Sequence, residues 1–368
     1  MNKKILRNIE WGILVCTILL MVIGLVALFS ATQNSDYEEF KKQIIWIAIS
    51  IPIMVIVILI DYGLLAKISP IIYGISLILL IAVLFTQPIN GACSWFSIGP
   101  FTFQPAEFAK IAAVLLTASV IVKIQEKGEN EVSRIWKLGL IALTVLIPVL
   151  LIIKQPDYGT ALAFMFALIF MLFVAGIKKR YIFTAILLVV ILVPVAYFFI
   201  LPEHAKARID VYLNPNLDPR GAGYNIIQSK LAIGAGQAFG MGLLKGNQTQ
   251  LGYLYPKTTD FIFAVIGEEM GFVVAGAIII LYIILITKSI HVAKTAKDNL
   301  GAYIAAGISG IFFFHMVENI GMTMGLLPIT GIPLPFVSYG GSSMLTNLIL
   351  IAILLNISGR RKKALFIE

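Results

Sequence analysis

The chain has 368 residues, of which 59% are hydrophobic and only 13% charged, and its formal net charge is +9. Soluble globular domains carry about 25% charged residues, so this composition excludes an ordinary soluble domain. The two cysteines stand in no metal-binding spacing such as Cys-x-x-Cys, which gives no sequence signal for a metal site of that kind.

Apolar runs long enough to cross a bilayer recur along the chain, since a spanning helix needs about 20 apolar residues. We predict about ten such helices. They cover residues 11–30, 43–60, 68–87, 105–122, 138–153, 160–176, 181–200, 261–287, 303–326 and 342–358. Pro105 opens the fourth run, and proline is favoured at the first helical position. The predicted fold is therefore all-α, with residues 1–368 forming a single polytopic membrane domain.

The orientation follows from lysine and arginine, which concentrate in the short loops on one side of the predicted bundle. The short loops on the other side hold only Lys41, Lys42 and Lys154. The positively charged side is expected to be cytoplasmic, together with both termini. Residues 201–259 then form one long extracytoplasmic loop. The positive charge reflects membrane insertion on this interpretation, and we expect no nucleic-acid partner.

Two strings on the predicted outer face have unusual sequences. Residues 256–264 read PKTTDFIFA and lead into GEEMG at 267–271, and residues 325–343 read GLLPITGIPLPFVSYGGSS. Both strings resemble signatures of the SEDS family, which includes RodA, FtsW and SpoVE, and the resemblance extends over essentially the whole chain. It implies a peptidoglycan glycosyltransferase of the bacterial cytoplasmic membrane that polymerises lipid II at the outer face. The short tails and compact length favour the RodA-like type, which serves cell elongation and rod shape.

The resemblance also implies binding partners. Besides lipid II and the surrounding membrane lipids, it implies a cognate class B penicillin-binding protein that crosslinks the glycan through its transpeptidase domain.

Asp260 stands where the polar segment ends and the apolar run from Phe261 begins. A carboxylate at the membrane boundary stays charged at lower cost than one at the bilayer centre. One interpretation is a cap for the following helix, a common role of Asp. The other is a general base that accepts the proton of an attacking sugar hydroxyl, for which one carboxylate is sufficient. Asp260 is our predicted catalytic residue.

Two further strings match the family. In QPAEFAK (104–110), Glu107 and Lys110 are spaced i, i+3 and share a helix face, so they form either a structural ion pair or a cation site for pyrophosphate. In QPDYGT (155–160), Asp157 is either a turn former and helix cap or a second carboxylate near Asp260. The family usually carries Arg where this chain has Ser94.

The remaining predicted substrate-binding residues lie in the outer segments. Arg208, Arg220 and Lys257 are cations that would offset the charge of the leaving pyrophosphate, and Ser338 and Ser342 belong to a rigid cavity wall.

Within residues 201–259, two patterns have structural meaning. Tyr224, Ile227 and Leu231 recur at helical spacing and predict an amphipathic helix at the membrane interface. The glycines at 234, 236, 240 and 242 predict flexible turns that open for a bulky lipid.

Four ionisable residues lie deeper in the predicted spans, namely Glu268, Glu269, His315 and Glu318. They predict either a proton path, as in a transporter, or a hydrogen-bond network between the eighth and ninth spans. A precursor flippase and a non-catalytic scaffold of the wall-synthesis complex therefore remain alternatives to the glycosyltransferase. A divalent cation, Mg²⁺ or Mn²⁺, would suit the transfer reaction, but no sequence fingerprint identifies its ligands.

Overall fold

The computed structural model describes residues 8–88, 92–99, 101–178, 180–181, 183–184, 187, 191, 195–200, 203–218 and 221–361. This part of the chain is predominantly helical. Its α-helices are α1 (Trp11–Ala31), α2 (Glu38–Leu59), α3 (Tyr62–Ala82), α4 (Pro105–Gln125), α5 (Ile135–Ile153), α6 (Tyr158–Val174), α7 (Glu203–Leu213), α8 (Ala222–Ala235), α9 (Asn247–Gln250), α10 (Ile262–Thr295), α11 (Asn299–Thr323) and α12 (Gly341–Gly359). Short 3₁₀ segments cover Gln33–Ser35, Val83–Phe85, Glu129–Ser133 and Pro215–Leu217, and a π-helical turn covers Ala196–Ile200.

A small antiparallel hairpin precedes α4. Strands β1 (Phe96–Ile98) and β2 (Phe101–Phe103) pair with Phe96 opposite Phe103. The hairpin leads directly into Pro105, which is the first residue of α4 as the sequence predicts.

Seven helices of the described residues are long and apolar enough to cross a membrane: α1, α2, α3 with its 3₁₀ extension, α5, α10, α11 and α12. The predicted fourth and sixth spans are also helical. They correspond to α4, which carries Glu107 and Lys110, and to the 17-residue α6. The predicted span 181–200 falls largely outside the described residues, so the count of ten stays a prediction. The chain is a multi-pass membrane protein.

Helices α11 and α12 form the centre of the bundle. The best apolar windows of α11 and α12 are 72% and 78% buried inside the protein, against 22–39% for the other five candidate spans. The outer helices turn apolar side chains such as Ile71 and Ile78 outward, as a lipid-facing surface requires.

Helix α10 is broken at Gly271, where φ is 77° and ψ is −177°. The sequence predicts one continuous span here. Loop 237–242 repairs the break with four backbone hydrogen bonds. They run from Met241 N to Glu268 O (2.9 Å), Gly242 N to Glu269 O (3.0 Å), Phe272 N to Gln237 O (2.8 Å) and Val273 N to Ala238 O (3.1 Å). The backbone groups released by the break are thereby satisfied inside the protein, as irregular backbone at membrane depth must be.

The glycines of this loop serve close packing. A Cβ on Gly236 would lie 1.8 Å from the carbonyl oxygen of Gly267, and one on Gly240 would lie 2.2 Å from that of Glu269. The prediction of flexible turns is therefore wrong at Gly236 and Gly240, because both residues pack closely against the backbone of α10.

A helix at the predicted position is confirmed as α8, and its place at the membrane interface stays a prediction. Its buried face consists of Ile226, Ser229 and Ala232, while Leu231 is 52% exposed. The Ser229 hydroxyl donates to Thr323 O at 2.7 Å, which attaches α8 to the end of α11. Leu231, which belongs to the predicted interfacial face, is thus directed away from the protein core.

Candidate active site

Asp260 lies half-buried, immediately before the N-cap residue Phe261 of α10. The turn that follows α11 contacts its carboxylate. Gly331 adopts φ +75°, and a Cβ placed there would lie 3.3 Å from Asp260 Oδ2. Glycine at position 331 thus allows the turn to lie close to the carboxylate.

The backbone leading to Asp260 is fixed at three consecutive carbonyls. Thr258 O accepts from Tyr339 N (2.9 Å), Thr259 O from Ser338 Oγ (2.6 Å) and Asp260 O from Asn319 Nδ2 (3.0 Å). Three separate donors from α11 and the 338–339 turn therefore fix the backbone of residues 258–260. Such fixing limits the positions that the Asp260 side chain can adopt.

Asn319 joins Asp260 to the turn it faces. Its Nδ2 also donates to Ile332 O at 2.8 Å, so one buried amide connects the start of α10 to residues 330–332. The neighbouring Glu318 accepts from Thr330 Oγ1 at 2.8 Å, which fixes the other end of the same turn.

Asp157 is confirmed as a helix cap. It is the N-cap of α6 and accepts from Thr160 N at 3.1 Å and from Gln104 Nε2 at 2.9 Å. A Cβ on Gly159 would lie 2.3 Å from Ile332 Cγ2, so the first turn of α6 packs on the 330–332 turn. The helix that Asp157 caps and the residue Asp260 thus both lie beside the 330–332 turn. Burial raises the pKa of Asp157, and the hydrogen bonds from Thr160 oppose the shift.

Glu107 and Lys110 form the predicted ion pair, with Lys110 Nζ 3.0 Å from Glu107 Oε1 and both residues 1% exposed. His315 extends the pair. Its Nδ1 lies 3.1 Å from Pro333 O, which can only accept, so Nε2 is free to accept from Lys110 Nζ at 3.2 Å. The chain of contacts runs from α4 through α11 to the turn that faces Asp260. Among the described residues, Lys110 has two partners, whereas Glu107 Oε2 is buried without a hydrogen-bond partner. Removing one member of such a buried pair is costly, because the other charge stays buried.

The two predicted serine ligands bind backbone groups. Ser338 Oγ donates to Thr259 O and accepts from Leu334 N at 2.8 Å. Ser342 Oγ accepts from Gln104 N at 3.1 Å, which ties α12 to the start of α4. The structure shows both hydroxyls bound to backbone groups, and their place in a cavity wall and their contact with substrate stay predictions.

Lys257 is half-buried in the loop that precedes Asp260. Its Nζ donates to Thr249 O at 2.9 Å. Burial lowers the pKa of Lys257, while the charges of Glu269 and Glu39 oppose the shift. Of the predicted arginines, Arg208 lies in α7, with its side chain outside the described set, and Arg220 lies outside the described residues.

The deep acids of α10 have a different role from the one predicted. Glu268 accepts from Gln248 N (2.7 Å) and Thr249 N (2.9 Å), and Glu269 accepts from Gln250 Nε2 (2.9 Å). Both carboxylates therefore hold α9 of the outer loop rather than α11. The predicted network between the eighth and ninth spans is wrong for these two residues, because their partners come from the loop.

Sequence reasoning missed Gln104, Asn319 and Thr330 as members of this site. Asn319 had a recognisable signal, a buried amide inside an apolar span, where a polar side chain needs a partner. The described residues contain no group of three or more His, Cys, Asp or Glu side chains placed to hold a metal ion.

The comparisons with known proteins agree over nearly the full length. The FtsW, RodA and SpoVE family, described as cell cycle proteins, matches residues 10–363. The peptidoglycan glycosyltransferase MrdB of Escherichia coli K12 is 36% identical over 98% of this chain and 97% of its own length. The peptidoglycan glycosyltransferase RodA of Treponema pallidum is 32% identical over 98% of this chain and 100% of its own.

The fold has a close counterpart among solved structures. A chain from a peptidoglycan synthase complex that coordinates polymerisation and crosslinking superposes with a TM-score of 0.82 at 29% identity, covering 95% of this chain and 97% of that chain. The family match covers nearly the full length, and the chain belongs to the FtsW, RodA and SpoVE family.

Proposed function

We propose that this chain is a peptidoglycan glycosyltransferase of the elongation type, which polymerises lipid II at the outer face of the bacterial cytoplasmic membrane. The named activity of its full-length relatives supports the reaction class. The observation that supports the residue assignment is the placement of Asp260, whose backbone is held by the contacts at residues 258–260 and whose carboxylate lies beside Gly331.

In the proposed reaction, Asp260 takes the proton from the 4-hydroxyl of the acceptor sugar. The hydroxyl oxygen forms a bond to the anomeric carbon of the donor, and the bond from that carbon to the polyprenyl pyrophosphate breaks. The pyrophosphate leaves with the electron pair of that bond, and the configuration inverts. A positioned general base contributes about 10²- to 10⁴-fold to such a step.

The leaving pyrophosphate requires positive charge, and Lys257 is our first candidate because it stands three residues before Asp260 and is only half-buried. Lys110 is fully enclosed by Glu107 and His315, so we assign it to positioning the turn at 330–333. A divalent cation remains a proposal without identified ligands.

We further propose that a class B penicillin-binding protein is the partner that crosslinks the product. The likeness to a chain of a peptidoglycan synthase complex supports this assignment.

The test is polymerisation of lipid II by the purified chain, with and without its partner, compared with Asp260→Asn. The matched control is Asp36→Asn, since Asp36 is exposed and its left-handed backbone suits Asn. We expect glycan polymer from the wild type and the control, and none from Asp260→Asn. Polymer from Asp260→Asn at the control level would overturn the mechanism, and no polymer from the wild type would support a scaffold role.

The flippase alternative is distinguished from the glycosyltransferase by measuring the transbilayer movement of lipid II with the same proteins in sealed vesicles. Glu268 and Glu269 are two of the residues for which the sequence allowed a proton path. Both accept hydrogen bonds from the outer loop. We therefore expect no transbilayer movement of lipid II above that of protein-free vesicles.

A further inference from the structure

A cleft with both charged and apolar lining lies at the end of the bundle opposite to Asp260. It is lined by Glu131, Ser133, Arg134, Ile135, Trp136, Lys178, Arg180 and Tyr181 and has a volume of about 620 Å³. Helix α4 has 21 residues and spans about 30 Å, the thickness of the hydrocarbon core. The candidate active site adjoins the start of α4 and the cleft follows its end, so the two lie on opposite membrane faces. By the lysine and arginine distribution, the cleft is cytoplasmic.

The cleft has an excess of positive charge. Three cations and one acid line it. The acid, Glu131, is already paired on both oxygens, with Arg134 at 2.7 Å and with Lys137. Lys178 and Arg180 are exposed and have no ion-pair partner among the described residues. Two cations therefore remain available to an anion.

The walls of the cleft are fixed by contacts between two linkers. Lys178 N donates to Ser133 Oγ at 3.3 Å, which joins the segment after α6 to the segment before α5. Arg180 is held over the ring of Tyr181 at 4.9 Å and donates to its hydroxyl at 3.0 Å. Helix α5 begins here without a side-chain cap, so its first amide groups face the same region.

The cleft also has an apolar margin. Ile135 and Trp136 are 75% and 61% exposed, although they open a membrane-spanning helix. Exposed tryptophan at a span end is typical of the membrane interface. A ligand that combines a phosphate with acyl chains would contact both the cations and this margin, whereas a soluble phosphate compound would contact only the cations.

We propose that this cleft binds the phosphate headgroup of an anionic phospholipid from the cytoplasmic leaflet. Lys178 and Arg180 contact the phosphate, and Ile135 and Trp136 contact the first acyl segments. Basic pockets at the cytoplasmic ends of spans recognise acidic headgroups in this manner.

The test measures lipid binding to the full chain by native mass spectrometry, with phosphatidylglycerol against phosphatidylcholine. The cleft variant is K178Q/R180Q and the control is K294Q/K297Q, which removes two exposed lysines from the same predicted face. We expect the cleft variant to bind phosphatidylglycerol about 30-fold more weakly, since each cation near an anionic surface contributes about a factor of five. Lys294 and Lys297 do not line the cleft, so the control should lose clearly less affinity for phosphatidylglycerol than the cleft variant. Equal affinities of the two variants would overturn the proposal.

Two further experiments on lipid binding use the wild-type protein, so they do not require the cleft variant to fold. The first distinguishes a lipid phosphate from a soluble phosphate compound. Glycerol 1-phosphate at millimolar concentration should leave phosphatidylglycerol bound to the wild type. Displacement of the lipid would assign the cleft to a soluble phosphate compound and overturn the lipid assignment. The fluorescence of Trp136 is obtained as the difference between the wild type and Trp136→Phe. In the wild type, phosphatidylglycerol with brominated acyl chains should quench this fluorescence more than brominated phosphatidylcholine does. Equal quenching by the two lipids would contradict the proposal.

Discussion

Asn319 donates a hydrogen bond from its side-chain amide to the backbone carbonyl of Asp260 at 3.0 Å, and from the same nitrogen to Ile332 O at 2.8 Å. The predicted general base and the turn that faces it are thus fixed by one side chain. A buried carbonyl left without its partner costs about 1–3 kcal/mol, so this link defines the geometry of the site.

Asn319→Leu keeps the branching at Cγ and removes both hydrogen bonds. We expect kcat for polymerisation to fall at least about tenfold with KM for lipid II little changed, since Asn319 positions Asp260 and does not bind substrate. The control is Asn356→Leu, which removes donors to Val57 O (3.0 Å) and Ile58 O (2.9 Å) at the far end of the bundle. A loss of kcat in the control equal to that of Asn319→Leu would indicate general destabilisation instead of positioning.

Gly331→Ala tests the close approach of the 330–332 turn to the Asp260 carboxylate. Alanine at φ +75° costs about 1–2 kcal/mol anywhere, but here its Cβ would also lie 3.3 Å from Asp260 Oδ2. Gly252→Ala supplies the matched control, because Gly252 has φ +78° and a Cβ there would meet no atom within 4 Å. We expect similar losses of thermal stability from both variants and a loss of polymerisation only from Gly331→Ala. Full activity of a folded Gly331→Ala protein would contradict the proposed location of the reaction.

Lys257 gives a pH dependence with a definite sign. Burial lowers its pKa below the ordinary value of 10.5, so the unfolded chain holds this proton to higher pH than the folded one. Between the two pKa values, stability rises with pH, whereas activity falls as the proposed cation is lost. Lys257→Arg stays charged and should extend activity to higher pH. The pH–activity profile would be compared with that of Lys245→Arg in the same loop, and coincident alkaline limbs for both variants would exclude Lys257 from the reaction.

The Glu107–Lys110 pair predicts a non-additive stability cycle. Removing one partner from a buried pair costs about 3–5 kcal/mol, because the other charge stays buried. We expect Glu107→Gln and Lys110→Met each to lower the unfolding temperature strongly and the double variant to recover part of the loss. The exposed pair Glu38–Lys42, with Nζ and Oε1 2.6 Å apart, should contribute less than about 1 kcal/mol. Additive effects in the buried cycle would show that the two side chains are not coupled.

The sequence predicted the local relationships well. The start of α4 at Pro105, the pairing of Glu107 with Lys110 and the cap at Asp157 each depend on residues a few positions apart. Hydropathy located the helices because the bilayer imposes length and composition on each span separately.

The long-range contacts could not be predicted in the same way. Asn319 meets Asp260 across 59 residues, and no periodicity encodes that contact. The break at Gly271 was missed because a single glycine in an apolar run is compatible with a continuous helix. Its meaning depends on loop 237–242, which supplies the missing hydrogen bonds.

The central claim is that Asp260 removes the hydroxyl proton, and single-turnover polymerisation by Asp260→Asn tests it most directly. The measurement compares the rate of bond formation from a preformed complex with lipid II, together with the affinity for lipid II. The account predicts a rate at least about 100-fold lower, with affinity within a few fold of the wild type. A rate within about threefold of the wild type would contradict it, since the removal of a general base costs at least about 10².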